Sequence, residues 1–342
     1  MEITNIIFII MIIVIFVIIC ICIESTCTTN FHEYFNPDLY KLPGNNIVYN
    51  SDEFISNVNE GIQIAKRSKI VICCLARNIS KIFEKTKSRL EFIGKQFNEY
   101  KIIIFENDSS DNSRQLIQDW ANLNNNIILL SCCDLGSCNC ELKYKTGYEY
   151  GSFSDKRFSK MALYRQQYLN FVNKFFKHYD YMLVVDFDLD GNININGIFD
   201  SLSKKEWGAI FCNGRVSLPG SFGFKTLPYD AIAILFSDDN YESKKYNIDE
   251  IIYRYFKMDW IGYNNHFVEV KSAFNGYGLY KIKSLTNCSY INNNNACEHI
   301  NLAKCLNDKN DKIFINYYWE GYFNRQGDNL FNILINIFNS SL

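Results

Sequence analysis

The sequence predicts an α/β domain with a mostly parallel central sheet, helices on both faces and one transmembrane helix ahead of it. Three observations carry that prediction. Short, continuously apolar runs recur at 70–75, 102–105, 127–130 and 181–185, as expected of strands buried on both faces. Segments with apolar residues spaced by three and four separate them, the mark of amphipathic helices. An uncharged apolar run of 18 residues, 6–23, stands near the N-terminus.

In chain order, the first element is that N-terminal run. At 1.5 Å per helical residue it covers most of a bilayer's hydrocarbon core. A cleaved signal peptide is the rival reading, but such segments have a shorter apolar region behind a basic one, and here only Met1 and Glu2 precede the stretch that begins at Ile3. Residues 1–24 are therefore read as a signal anchor. No Lys or Arg occurs before Lys41, so the positive-inside rule has little to act on. Residues 25–66 are polar and mixed, punctuated by Pro37, Pro43 and Gly44, and end in a helical pattern at Phe54, Ile55, Val58 and Ile62 that Ser51 is placed to cap. They read as a stem, with residues 67–342 as the globular domain.

Within that domain the strand at 70–75 precedes a helix with Ile82, Phe83, Leu90, Ile93 and Phe97 on one face. The strand at 102–105 precedes a helix carrying Leu116, Ile117, Trp120 and Leu123. After the strand at 127–130 and a cysteine-rich loop, Met161, Tyr164, Tyr168, Val172 and Phe175 mark a longer helix that leads into the strand at 181–185. Further strands are expected at 208–212 and 266–270, and a helix at 246–258. Alternation of strand and helix implies right-handed crossovers and a doubly wound sheet, in which ligands sit beyond the carboxyl ends of the strands.

Composition narrows the function. A formal net charge of -2 gives no basic footprint, so no nucleic-acid partner is expected. Ten of the 13 cysteines lie from Cys73 onward, densest at Cys132, Cys133, Cys138 and Cys140. Paired C-x-x-C zinc spacings are absent, which favours disulfides or free thiols over zinc. Together with the anchor this suggests a single-pass membrane protein with its domain on the lumenal or extracytosolic side. Of four N-x-S/T sequons, those at Asn78 and Asn107 fall at strand ends where a glycan would block a site.

The strand at 181–185 runs into Asp186-Phe187-Asp188-Leu189-Asp190. In an extended segment the aspartates share one side, concentrating hard oxygen ligands at a strand's carboxyl end. Mn²⁺ or Mg²⁺ held by one or two carboxylates and by diphosphate oxygens would neutralise a leaving nucleoside diphosphate. A solvated acidic turn, helped by Asp190-Gly191, is the structural alternative. Glu106, ending the second strand, can accept hydrogen bonds from a ribose or base, while Ser109, Ser110 or Asp111 can cap the helix after it. Arg77 and Asn78 end the first strand, and Arg157 and Arg165 lie on or near the helix before Asp186. Their guanidinium groups suit a diphosphate, though a surface ion pair is the ordinary role of any one of them. Glu298-His299 can supply a general base and an imidazole metal ligand, or simply a buried, hydrogen-bonded histidine.

Three stretches, Ile103 through Asp111, Arg157 through Arg165 and Val184 through Asp188, resemble GT-A-fold (Rossmann-like) glycosyltransferases. More narrowly they are similar to fungal capsule-type α-1,3-mannosyltransferases and their family-2-like relatives. Asn213-Gly214, Pro228-Tyr229-Asp230, Lys271 through Gly276 and Cys297-Glu298-His299 follow in order, so the resemblance spans about 69–316. It implies a nucleotide-sugar donor, a glycan or glycoprotein acceptor, Asn78 and Glu106 at the nucleoside, Asp186 and Asp188 as the D-x-D motif, and His299 as a third metal ligand. Asn107 and Asn275 depart from the residues such relatives carry, which bears on donor identity. If the reaction inverts, Glu298 or Asp230 would be the base. A retaining reaction, the outcome the mannosyltransferase resemblance suggests, needs none. A membrane-anchored glycan-binding or structural protein on the same fold is the non-catalytic alternative. A sugar nucleotidyltransferase is disfavoured because no glycine-rich phosphate loop follows the first strand.

Overall fold

The structure is a computed structural model that describes residues 52–131, 155–189, 191, 193–217, 227–241, 253–254, 257–258, 261, 265–291 and 297–324. The expected anchor at 6–23, Asp190, the cysteine-rich stretch at 132–140 and most of the helix expected at 246–258 lie outside the described residues. Among those described, no helix is long and apolar enough to cross a membrane.

The chain runs α1 (Asp52–Ala65), β1 (Lys69–Ala76), α2 (Phe83–Gly94), β2 (Glu99–Glu106), α3 (Ser113–Leu123), β3 (Ile127–Leu130), α4 (Asp155–Phe175) and β4 (Tyr181–Asp186). It continues through α5 (Asn196–Ser203), β5 (Ala209–Ser217), β6 (Leu227–Pro228), β7 (Leu235–Phe236), β8 (Phe267–Ser272), β9 (Tyr277–Lys281), α6 (Glu298–Asn307) and β10 (Ile313–Asn324). Short 3₁₀ turns occur at Ala231–Ala233 and Ile282–Leu285. The sheet order is β3-β2-β1-β4-β9-β5-β10-β8-β7, with β6 paired to β5.

The half β3-β2-β1-β4 is parallel throughout, as the apolar runs predict. The other half is mixed: β9 lies antiparallel between β4 and β5, while β5 and β10 are parallel. The expectation of a mostly parallel sheet therefore holds for the first half and gives way to a mixed sheet beyond β4. Asn275 (φ 56°) and Gly276 (φ 86°) carry the chain through left-handed backbone, which favours glycine, between β8 and β9.

Side-chain alternation along the strands builds two cores. From β1, Val71 and Cys73 enter the core beneath α4 and α6, while Ile70, Ile72 and Cys74 enter the one beneath α1, α2, α3 and α5. The helix assigned from sequence to the end of the stem is part of this packed unit, because Phe54, Val58, Ile62 and Ala65 of α1 are buried.

Candidate active site

Strand register fixes where the predicted residues meet. Ala76 of β1 pairs with Glu106 of β2, and Leu75 with Asp186 of β4. Arg77-Asn78, Asn107-Asp108 and Phe187-Asp188 therefore leave the sheet side by side on its carboxyl edge. The Asp186 N–H donates to the Gly276 carbonyl at 3.0 Å, which ties the end of β4 to the turn before β9.

Beneath this edge lies Arg165 of α4, 3% exposed. Its Nη2 donates to Asp186 Oδ1 at 2.9 Å, its Nε to Glu298 Oε1 at 3.0 Å and its Nη1 to the Tyr168 hydroxyl at 3.3 Å. The guanidinium also stacks over the Phe274 ring, 4.7 Å from its centroid. Burial works against the charge, but Tyr168, Asp186 and Glu298 outweigh it and hold Arg165 protonated. The Tyr229 hydroxyl reaches Asp186 Oδ2 through a long contact of 3.5 Å. Asp230, in left-handed backbone, lies close enough to Cys297 that it and Glu298 add to the burial that pushes that thiol up.

His299 stands at the start of α6, 3% exposed and stacked on Phe274 at 3.7 Å between centroids. Burial, with the positive charge of Arg165, holds its pKa well below the ordinary histidine range, so the imidazole is neutral. Its Nε2 lies 3.5 Å from Glu298 Oε1, a contact without hydrogen-bond geometry, so neither ring nitrogen has a hydrogen-bond partner among the described residues. Asp186 and His299 are thus linked through Arg165 and Glu298.

The second half of the site gathers at the ends of β1 and β2. Glu106 is buried. Its Oε1 accepts from the Ser109 N–H at 3.0 Å and its Oε2 from Arg114 at 2.8 Å, so the carboxylate serves its own loop and the first turn of α3. Asn78 Oδ1 accepts from the Ser110 N–H at 2.7 Å, and Arg77 Nε reaches the Asp108 carbonyl at 3.5 Å. Asp111 receives the Ser113 and Ser80 N–H groups at 3.0 and 3.2 Å, so it satisfies the first N–H of α3 from one residue ahead of the N-cap, Asn112, whose own side chain makes no capping bond. Tyr164 of α4 stacks on Phe105, and burial raises its pKa against the pull of Asn107, Arg77 and Arg157 beside it. Arg77 and Arg157 thus both act on a tyrosine the sequence reading used only as a core position.

Asp186 is half-buried and Asp188 exposed. Two carboxylates two residues apart, one with an oxygen in a long Tyr229 contact, form a hard-oxygen donor set. That set fits Mg²⁺ or Mn²⁺, which ordinarily keep water and phosphate oxygens as further ligands. Among the described residues no group of three or more His, Cys, Asp or Glu side chains is gathered to hold a metal, so His299 is not assembled with the two aspartates. Tyr229 and Phe274, each inside a motif noted from sequence, acquire roles only in three dimensions.

No protein-family model matches the chain. No curated protein matches it either. Solved structures do. The chain is similar to S. aureus TarS 1-349, at 11% identity over 74% of this chain and 60% of that one, with a TM-score of 0.40. It is similar to the same protein in complex with UDP-GlcNAc, at 12% identity over 76% and 60%, with a TM-score of 0.42. A third is the mannosyltransferase PcManGT from Pyrobaculum calidifontis in complex with GDP-Man and Mn²⁺, at 10% identity over 79% and 65%, with a TM-score of 0.41. The chain spans less than two thirds of the length of each, and likeness at this level carries no residue role across.

Proposed function

We propose that this chain is a metal-dependent glycosyltransferase of the GT-A kind, transferring a sugar from a nucleotide-sugar donor to a glycan or glycoprotein acceptor. The observation that supports it best is the convergence at one sheet edge. Asp186 ends β4 beside the end of β1, with Asp188 two residues on, and β2 ends on the other side of β1, where Asn107, Arg77 and Arg157 act on Tyr164. That layout separates an anionic, cation-ready corner from a basic, polar corner, as a nucleoside diphosphate requires.

In this reading Asp186 and Asp188 hold Mn²⁺ or Mg²⁺, with water and diphosphate oxygens as the further ligands, and His299 stays outside the set. The ion, when bound, supplies charge neutralisation at the leaving diphosphate. Arg77 and Arg157 orient the same phosphates by directed N–H donors. Arg165 fixes the Asp186 carboxylate through its Nη2, and Glu298 holds Arg165. Glu298 is nearly fully buried and already accepts from Arg165, so Asp230, partly exposed, is the better placed of the two carboxylates to meet an acceptor hydroxyl. The sequence resemblance makes a mannose donor the first to test. The Cys288–Cys305 disulfide supports an oxidising compartment and so an extracytosolic domain behind the N-terminal anchor.

The deciding experiment measures turnover or hydrolysis across a panel of nucleotide sugars with Mn²⁺. Turnover of at least one donor, abolished by EDTA and lowered about 100-fold or more by Asp188→Asn, is expected. Activity indifferent to both would overturn the mechanism, and binding of glycans with no turnover of any donor would favour the non-catalytic protein.

A further inference from the structure

One face of α2 is built differently from an ordinary packing face. Phe83, Thr86 and Arg89, spaced by three, are all buried, and all three meet the segment that follows β4. Phe83 stacks on Phe187, with ring centroids 6.1 Å apart and planes at 16°. Thr86 Oγ1 donates to the Phe187 carbonyl at 3.1 Å. Arg89 Nη1 donates to the Leu189 carbonyl at 3.0 Å and to the Tyr277 hydroxyl at 3.1 Å, and its Nη2 to the Gly191 carbonyl at 2.5 Å.

These contacts bracket one residue. The carbonyls before and after Asp188 are each held by α2. The side chains of Phe187 and Leu189 are buried, and Asp188 between them is exposed. A guanidinium that is 2% exposed and spends its donors on backbone carbonyls and a phenol is costly to bury for packing alone. Its fork geometry instead suits fixing several acceptors at set spacings.

We infer that Arg89, with Thr86, is a positioning residue pair: α2 clamps the backbone on both sides of Asp188 and thereby sets how that carboxylate is offered to the divalent cation. The inference rests on the function proposed above for Asp186 and Asp188. It assigns neither Thr86 nor Arg89 any contact with substrate or metal.

The test uses the full chain and Mn²⁺ alone, in the variants Thr86→Val and Arg89→Lys. Far-UV circular dichroism and cooperative thermal unfolding establish that each folds. Titration calorimetry or electron paramagnetic resonance then gives Mn²⁺ affinity, and hydrogen exchange reports on the amides of 187–193. Affinity is expected to fall about tenfold, the lower end for groups that orient metal ligands, with faster exchange confined to that segment. Ile62→Val, in the same core on α1, is the control: it lowers the melting temperature and leaves Mn²⁺ affinity alone. Folded variants with parental Mn²⁺ affinity and parental exchange would overturn the inference. Failure of the underlying reading looks different, because Asp188→Asn would then leave Mn²⁺ binding unchanged. In that case the exchange arm still decides whether Thr86 and Arg89 order the segment.

Discussion

A guanidinium that is 3% exposed and reaches carboxylates on two separate elements, as Arg165 does with Asp186 and Glu298, has no water to replace a lost partner. Removing the cation leaves the largely buried Glu298 and the half-buried Asp186 uncompensated, so Arg165→Met should cost about 3–5 kcal/mol in urea unfolding. Adding Glu298→Gln to that variant should recover part of the loss, since one stranded charge disappears; a strictly additive double mutant would contradict the pairing. Arg165→Lys should also fall short, because an ammonium lacks the fork that spans both acceptors. A milder effect attaches to Asp111, which Ser113 and Ser80 hold down to about 2 although its desolvation opposes them. A carboxylate depressed on folding stabilises fully above its unfolded value and loses that contribution as pH falls toward the folded one. The melting-temperature gap between the parent and Asp111→Asn should therefore be widest near neutrality and narrow below about pH 4. A gap constant from pH 6 to pH 3 would remove this role of Asp111. Asp111 is exposed, so the gap is expected to be small.

Whole elements differed sharply in how far the sequence disclosed them. The strands β1, β2 and β4 were legible because each holds an unbroken apolar run buried on both faces, and β3, an edge strand with Ile128 and Leu129 half-buried, still falls at 127–130 as expected. The strand β10 was not, since Asn316, Glu320 and Gly321 interrupt its apolar pattern and its register with β5 shifts between Asn316 and Glu320. The helix α5 opens on Asn196-Gly197, which reads as a turn, and has only eight residues. Site residues followed the same logic. Carboxylates and arginines directly after apolar strands announced themselves, whereas Thr86 and Arg89 are polar residues on a helix face whose apolar pattern masks them. Neighbouring backbones, which no periodicity reveals, also set the fit of α1 on α5. A Cβ added at Gly61 would lie 1.8 Å from the Phe199 carbonyl oxygen, so the two helices touch through that glycine. Gly61→Ala is thus expected to cost about 1–3 kcal/mol by forcing them apart. Gly321→Ala is the matched comparison, because its nearest heavy atom would be Phe323 Cζ at an ordinary 3.4 Å. Equal effects of the two substitutions on the urea midpoint would refute the close approach.

At the scale of the whole molecule, the core beneath α4 and α6 backs the candidate site, and one covalent link fastens its outer edge. Cys288, just past β9 and its 3₁₀ turn, is bonded to Cys305 of α6, with a sequence separation of 17. Two residues after Cys288, Tyr290 turns inward. Its hydroxyl lies 3.3 Å from that of Tyr168, its ring sits edge-on to His299, and its N–H donates to Gln166 Oε1 at 2.9 Å. The disulfide therefore pins the strap that covers His299 to the helix that carries it. In the chain-entropy account a loop of this length is worth about 3 kcal/mol. Peptide mapping without reductant should recover Cys288 and Cys305 in one linked species, while the buried thiols of Cys73, Cys74, Cys212 and Cys297 alkylate only on unfolding. Replacing both bridged cysteines by serine should lower the urea midpoint by the equivalent of about 3 kcal/mol with little change in slope. The loss should fall on this side of the sheet, so hydrogen exchange ought to quicken in 288–291 and α6 before it does in α2 or α3. Rapid alkylation of Cys288 and Cys305 in the native, unreduced protein would show that this edge is held by packing alone.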